Sequence, residues 1–186
     1  MKISVLKTNV EVSPLFFAVL TSFLLVDKNG IASAAVLFSA LHELGHFLAL
    51  LCVKSHAKAV KISAFGIEMQ LYENMSTAKK IAVLTAGFTV NFVLAFFFFK
   101  AGKTLFAYIN LVIGCLTGLP VAATDGGSVL KIIFEKIFPE KADKLFFSVS
   151  LSLSIFVSAI MVLAAVYSKN YYLLIAAFYI VLSAKK

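Results

Sequence analysis

Charged side chains are scarce in this sequence: 14% of its 186 residues are charged, while 61% are hydrophobic. Soluble domains run to roughly 45–50% apolar, and a soluble core cannot hide the excess, so a water-soluble fold is excluded. Cysteine is almost absent. Cys52 and Cys115 both sit inside apolar runs, which excludes a disulfide framework and leaves small buried hydrophobes as their expected role. Arginine is missing altogether, since all 17 basic residues are lysine. There is no internal repeat, low-complexity linker or composition shift, so one membrane-embedded domain is expected over residues 1–186. Nor does Asp27-Lys28-Asn29-Gly30 supply the small-residue cleavage site that would make the first apolar run a secretory signal.

Long uncharged runs are what the sequence has in abundance. Ile31–Val53, Ile81–Phe99, Leu105–Ala123 and Leu145–Tyr167 approach or exceed the roughly 20 residues of a spanning helix. Val12–Val26 and Tyr171–Ala184 are shorter and either span or lie in the interface. Lysine placement bears on the count, because basic residues collect on the cytoplasmic side. With six spans and the N-terminus inside, 13 lysines fall on inner segments and only Lys28, Lys100, Lys103 and Lys169 on outer ones. The expected fold is an all-α polytopic membrane protein of about six transmembrane helices, with both termini cytoplasmic. The net charge of +8 then anchors the chain to the bilayer, and no nucleic-acid partner is expected.

Two polar segments carry pattern. In Ala57–Glu73, Val60, Ile62 and Ala64 alternate with Lys61 and Ser63, and Ile67, Met69 and Leu71 alternate with Glu68 and Gln70. Period-two alternation on both sides of Phe65-Gly66 predicts a small membrane-associated β-hairpin. It is either a surface connector or a strand edge that an extended substrate can lengthen. Lys131–Lys144 mixes charges with Ile132, Ile133, Phe134, Ile137 and Phe138, as an amphipathic connector does, with Pro139 as its stop.

The chemistry is concentrated in His42-Glu43-Leu44-Gly45-His46. Residues four apart share a helix face, so both imidazoles can reach one tetrahedral metal, for which zinc is the default. Glu43 lies about 100° round the helix from His42, within reach of a water at the metal, as a general base must be. Polar groups in mid-membrane cost at least about 2.5–3.5 kcal/mol each on insertion scales, and three within five positions call for a function. His56, among lysines, reads as a solvated flank.

Two histidines leave a catalytic zinc one ligand short. Asp125, at the edge of an apolar run with Pro120 before it and Gly126-Gly127 after it, is the expected third, although an aspartate before two glycines also suits a plain turn. Depth is consistent. His46 lies eight residues before Lys54, about 12 Å from the cytoplasmic end, and Asp125 leaves the fourth apolar run on the same side. Between them, Gly87 and Asn91 lie one turn apart. Gly87 allows close helix approach, and Asn91 either binds substrate backbone or a developing oxyanion, or ties helices together.

An HExxH helix, a Gly-x-x-x-Asn motif and a later Asp-Gly, in that order, resemble the site-2 protease family of intramembrane zinc metalloproteases, over about Ile31 to Ser128. The short chain looks most like the six-span bacterial branch that includes the sporulation protease that activates a sigma factor. The resemblance implies one zinc per chain held by His42, His46 and Asp125, Glu43 as catalytic acid/base, and Asn91 as a substrate-positioning residue. It also implies an integral protein of the bacterial cytoplasmic membrane, acting on a membrane-protein substrate in or near its transmembrane segment, with release of a transcription regulator as one outcome, and open to a membrane regulatory partner. Phe88 stands where members often have proline, and Thr117-Gly118-Leu119-Pro120 where they often have Asn-Leu-Leu-Pro. The alternatives are a membrane metal transporter and a metal-binding, non-catalytic relative.

Overall fold

A computed structural model describes residues 2–5, 8–63, 66–71, 75–122, 124–169, 174, 177–178 and 180–181. They form two compact units, Met1–Cys115 and Leu116–Lys186. The first holds β1 (Lys2–Val5), β2 (Thr8–Val12), α1 (Pro14–Val26), α2 (Ile31–Cys52), β3 (Ala59–Ser63), β4 (Gly66–Gln70), α3 (Thr77–Lys100) and most of α4 (Thr104–Gly118). The second holds the end of α4, then α5 (Asp125–Ile137) and α6 (Ala142–Ser168). The boundary falls within a continuous apolar helix, which is why no change of composition marks it.

The expected hairpin is present: β3 and β4 are antiparallel, with Val60 opposite Met69 and Ile62 opposite Ile67. It is half of a larger object, a four-stranded sheet in the order β1-β2-β3-β4. β1 and β2 form a second antiparallel pair, and β2 runs parallel to β3. A parallel pair needs a crossover connection, here α1 and α2. Val60 and Met69 pack with Ala49, Val53, Leu71 and Met75 around buried Leu50, Ala57 and Val83. This cluster fastens the apolar face of the hairpin to the end of α2 and the start of α3.

α2, α3 and α6 are long and apolar enough to cross a membrane, and the chain is a helical polytopic membrane protein. Their exposed faces carry Leu37, Phe47 and Leu51 on α2, Phe96 and Phe97 on α3, and Ile155, Phe156 and Leu163 on α6, side chains that water would not tolerate in such number. α1 starts with proline in its first turn, a position where its missing N–H costs nothing. With 13 residues it reaches about 20 Å, short of a bilayer core of about 30 Å. Tyr171–Ala184, apart from residues 174, 177–178 and 180–181, lies outside the described residues.

Three expectations change in detail. The run Leu105–Ala123 is helical only to Gly118, because the chain bends at residues 119–122 around Pro120. Cys52 and Cys115 are exposed on the protein instead of buried in it, since the inward positions beside them are held by Leu50 and Gly114. The amphipathic connector begins earlier than expected, at Asp125, and ends at Ile137, two residues before Pro139. Lys131 on α5 pairs with Asp143 on α6 at 3.2 Å.

The start of α2 is fixed by a carboxylate. Asp27 Oδ1 accepts from the Ala32 N–H at 3.2 Å, and Oδ2 accepts from the Ser33 N–H at 2.8 Å and the Ser33 hydroxyl at 2.6 Å. First-turn N–H groups have no partner within their own helix, and an anion there also meets the positive end of the helix dipole.

Candidate metal centre

The site is built on two buried helix stripes in which small and polar residues sit between apolar ones. α2 buries Phe38, His42, Gly45, His46 and Leu50; α3 buries Val83, Gly87, Asn91 and Ala95. Both stripes repeat at nearly four residues, one side of a helix. Gly45 fits against α3 with room for no side chain: a Cβ there would lie 2.8 Å from Val90 Cγ2 and 3.0 Å from the Ala86 carbonyl oxygen. Gly87 does the same for α3. A Cβ on it would sit 2.6 Å from His42 Nε2 and closer still to His46 Nε2.

His42 and His46 are each 4% exposed, and their Nε2 atoms converge to 3.1 Å. Each ring is anchored through its other nitrogen. His46 Nδ1 lies 2.7 Å from the Val83 carbonyl oxygen, which can only accept, so this nitrogen donates. His42 Nδ1 lies 2.8 Å from Asn91 Oδ1 and donates to it likewise. A neutral imidazole with a protonated Nδ1 presents a bare lone pair at Nε2. Two such lone pairs 3.1 Å apart repel unless a cation or a proton lies with them. A hydrogen bond from the far nitrogen is how metal-ligating histidines are usually oriented. The pair therefore fits a zinc ion by donor type and protonation, and the missing side chain at Gly87 is what lets both rings lie where they do. Glu43 follows His42 on α2 and is half-buried.

Asp125 lies in the second unit, half-buried, as the first residue of α5. Its helix start is set by Thr124, whose hydroxyl oxygen accepts from the Gly127 N–H at 3.2 Å and whose single proton is shared between the carbonyl oxygens of Leu119 and Val121. Gly126 and Gly127 press on the backbone of Gly118 and Val121 so closely that any Cβ would overlap it. The Asp-Gly-Gly sequence is thus dictated by a helix start packed directly on the preceding bend. In the same bend the Ala122 N–H donates to Ser150 Oγ on α6 at 2.8 Å.

The structure is similar to that of the Site-2 Protease from Methanocaldococcus jannaschii, with a TM-score of 0.70 and 15% sequence identity over 100% of this chain and 93% of that chain. The fold is that of a site-2 protease. Neither a protein-family model nor a curated protein matches the chain.

Within this site-2 protease fold, sequence reasoning singled out Asn91 but not its bond to His42, and it missed Asn110. Asn91 is fully buried, and its amide is engaged by His42 Nδ1, by Asn110 Oδ1 at 3.1 Å and by the Phe38 carbonyl at 3.4 Å. Asn110 on α4, also fully buried, passed unremarked. The available signal was the cost of a second carboxamide inside an apolar run.

Proposed function

We propose that this chain is an intramembrane zinc metalloprotease that hydrolyses a peptide bond in or near a transmembrane segment of a membrane-bound substrate. The observation that carries the reading is the convergence of His42 and His46 Nε2, both Nδ1 atoms committed as donors, on the helix that presents Glu43. In this reading Asp125 is the third protein ligand. One zinc per chain supplies Lewis acidity where the two nitrogens converge.

The chain's own groups do the rest. Glu43 takes a proton from the attacking water on its carboxylate and returns it to the leaving amide nitrogen. Val83 and Asn91 keep the imidazoles in the tautomer that binds metal, and Gly87 keeps their near side clear. The substrate must be extended, because a helix engages its own carbonyls. β4 is an edge strand of the sheet, and edge strands accept an added strand. The proposal places the protein in a bacterial cytoplasmic membrane with both termini inside, in the short six-span branch of the family, where cleavage releases a transcription regulator.

Glu43→Gln tests the reading in the purified full chain. It is expected to keep its zinc and to lose cleavage of a single-span substrate, whereas His46→Ala loses both. Zinc flux into vesicles without any cleavage would favour a transporter instead.

A further inference from the structure

The tautomer of His42 can be traced back to a backbone carbonyl on another helix. Asn110 Nδ2 lies 2.9 Å from the Phe106 carbonyl oxygen, which only accepts, so the amide nitrogen is fixed there and Oδ1 turns to Asn91. That oxygen accepts from Asn91 Nδ2 at 3.1 Å. The Phe38 carbonyl, 3.4 Å from the same nitrogen, demands the same orientation. Asn91 Oδ1 is therefore the atom facing His42, which must supply a proton from Nδ1. Each link is a donor meeting an acceptor that has no alternative polarity.

We propose that Asn110 is a positioning residue of the metal centre, acting through Asn91 to hold His42 in its Nδ1–H tautomer. Interhelical asparagines often serve only as glue, and two features set this one apart. Its acceptor is spent on the residue that orients a histidine, and the surrounding packing holds the amides in register. Phe38, Phe98 and Phe106 lock α2, α3 and α4 together, with ring centroids 5.4–5.8 Å apart. One turn after Asn110, Gly114 brings α4 against α3, where a Cβ would already lie 3.1 Å from the Phe92 ring and 3.3 Å from Asn91 Cβ. Chained hydrogen bonds in a dry interior also polarise one another.

The affinity side of this inference rests on the metalloprotease reading, but the tautomer side does not. The experiment uses the full chain in detergent, labelled with 15N-histidine and stripped of zinc, at mildly alkaline pH. The ring 15N shifts of His42 are expected to report a protonated Nδ1 in the wild type. Asn110→Leu and Asn110→Ala differ in size but both lack the acceptor, and each is expected to show a mixture of tautomers. The Zn2+ dissociation constant should then rise about tenfold, the lower end of outer-shell effects. Asn110→Gln keeps a carboxamide that can both donate to the Phe106 carbonyl and accept from Asn91, and is expected to restore part of both readouts, so it decides the matter even where an apolar variant does not fold. Unchanged His42 shifts in the apolar variants, or a Gln variant no better than Ala, would overturn the proposal. A wild type with the expected tautomer but no affinity for Zn2+ would sink the metalloprotease reading and leave the positioning role standing.

Discussion

A Cβ on Gly87 would lie 2.6 Å from His42 Nε2, well inside van der Waals separation. In an unobstructed helix, replacing glycine by alanine stabilises by about 1 kcal/mol. Here the added methyl meets both imidazoles and the rings must move. Gly87→Ala is expected to keep its helical content by circular dichroism and to lose more than tenfold in zinc affinity in a competition titration. Unchanged affinity would mean that the rings are not held where α3 presses on them.

Asn91 reaches His42 directly, so its removal should be felt more than that of Asn110. Asn91→Leu is expected to weaken zinc binding about 10–100-fold. Asn91→Asp keeps an acceptor for His42 Nδ1 but loses the donor to Asn110 and Phe38, so it should recover only part of the loss. Equal losses in the two variants would point to packing instead of the hydrogen bond.

Leu50 is 2% exposed at the centre of the cluster joining the hairpin to α2 and α3. Leu50→Ala is expected to cost about 2–5 kcal/mol in unfolding free energy, measured by denaturant titration in detergent. Greater protease sensitivity should appear first in the β3–β4 segment, whose apolar face loses its support.

The Asp27 carboxyl is held below the ordinary aspartate range, chiefly by the hydrogen bond from the Ser33 hydroxyl and then by the Ser33 and Ala32 N–H groups. A folded-state value below the unfolded one of about 3.9 gives a contribution fully present above that value and lost as pH falls through the folded one. Wild type is therefore expected to melt above Asp27→Asn near neutral pH, with the gap closing in acid. A gap that stayed constant or widened in acid would contradict the cap.

Much of this was legible in the sequence because lipid makes polar groups conspicuous. His42, Glu43 and His46 stand out in an apolar run, and the alternation around Lys61 and Glu68 announced β3 and β4. Gly87 was readable as a point of close approach, though not that the histidines were what it approaches. The N-terminal strands were missed although Thr8–Val12 alternates weakly, since a strand that short gains its stability from a partner 50 residues away, Asn9 pairing with Ala59. The end of α4 at Gly118 depends on how Gly126 and Gly127 pack on the bend. Asn110 gains meaning only when α4 lies beside α3, and no spacing rule links residues 42, 91 and 110.

The convergence of two imidazole nitrogens is tested most directly by zinc-edge X-ray absorption on the purified full chain. The expected result is one zinc per chain with two imidazole nitrogens at about 2.0–2.1 Å and the remaining positions filled by oxygen, and no tightly bound zinc in His46→Ala. A spectrum without imidazole scattering, or one that His46→Ala leaves unchanged, would contradict the account.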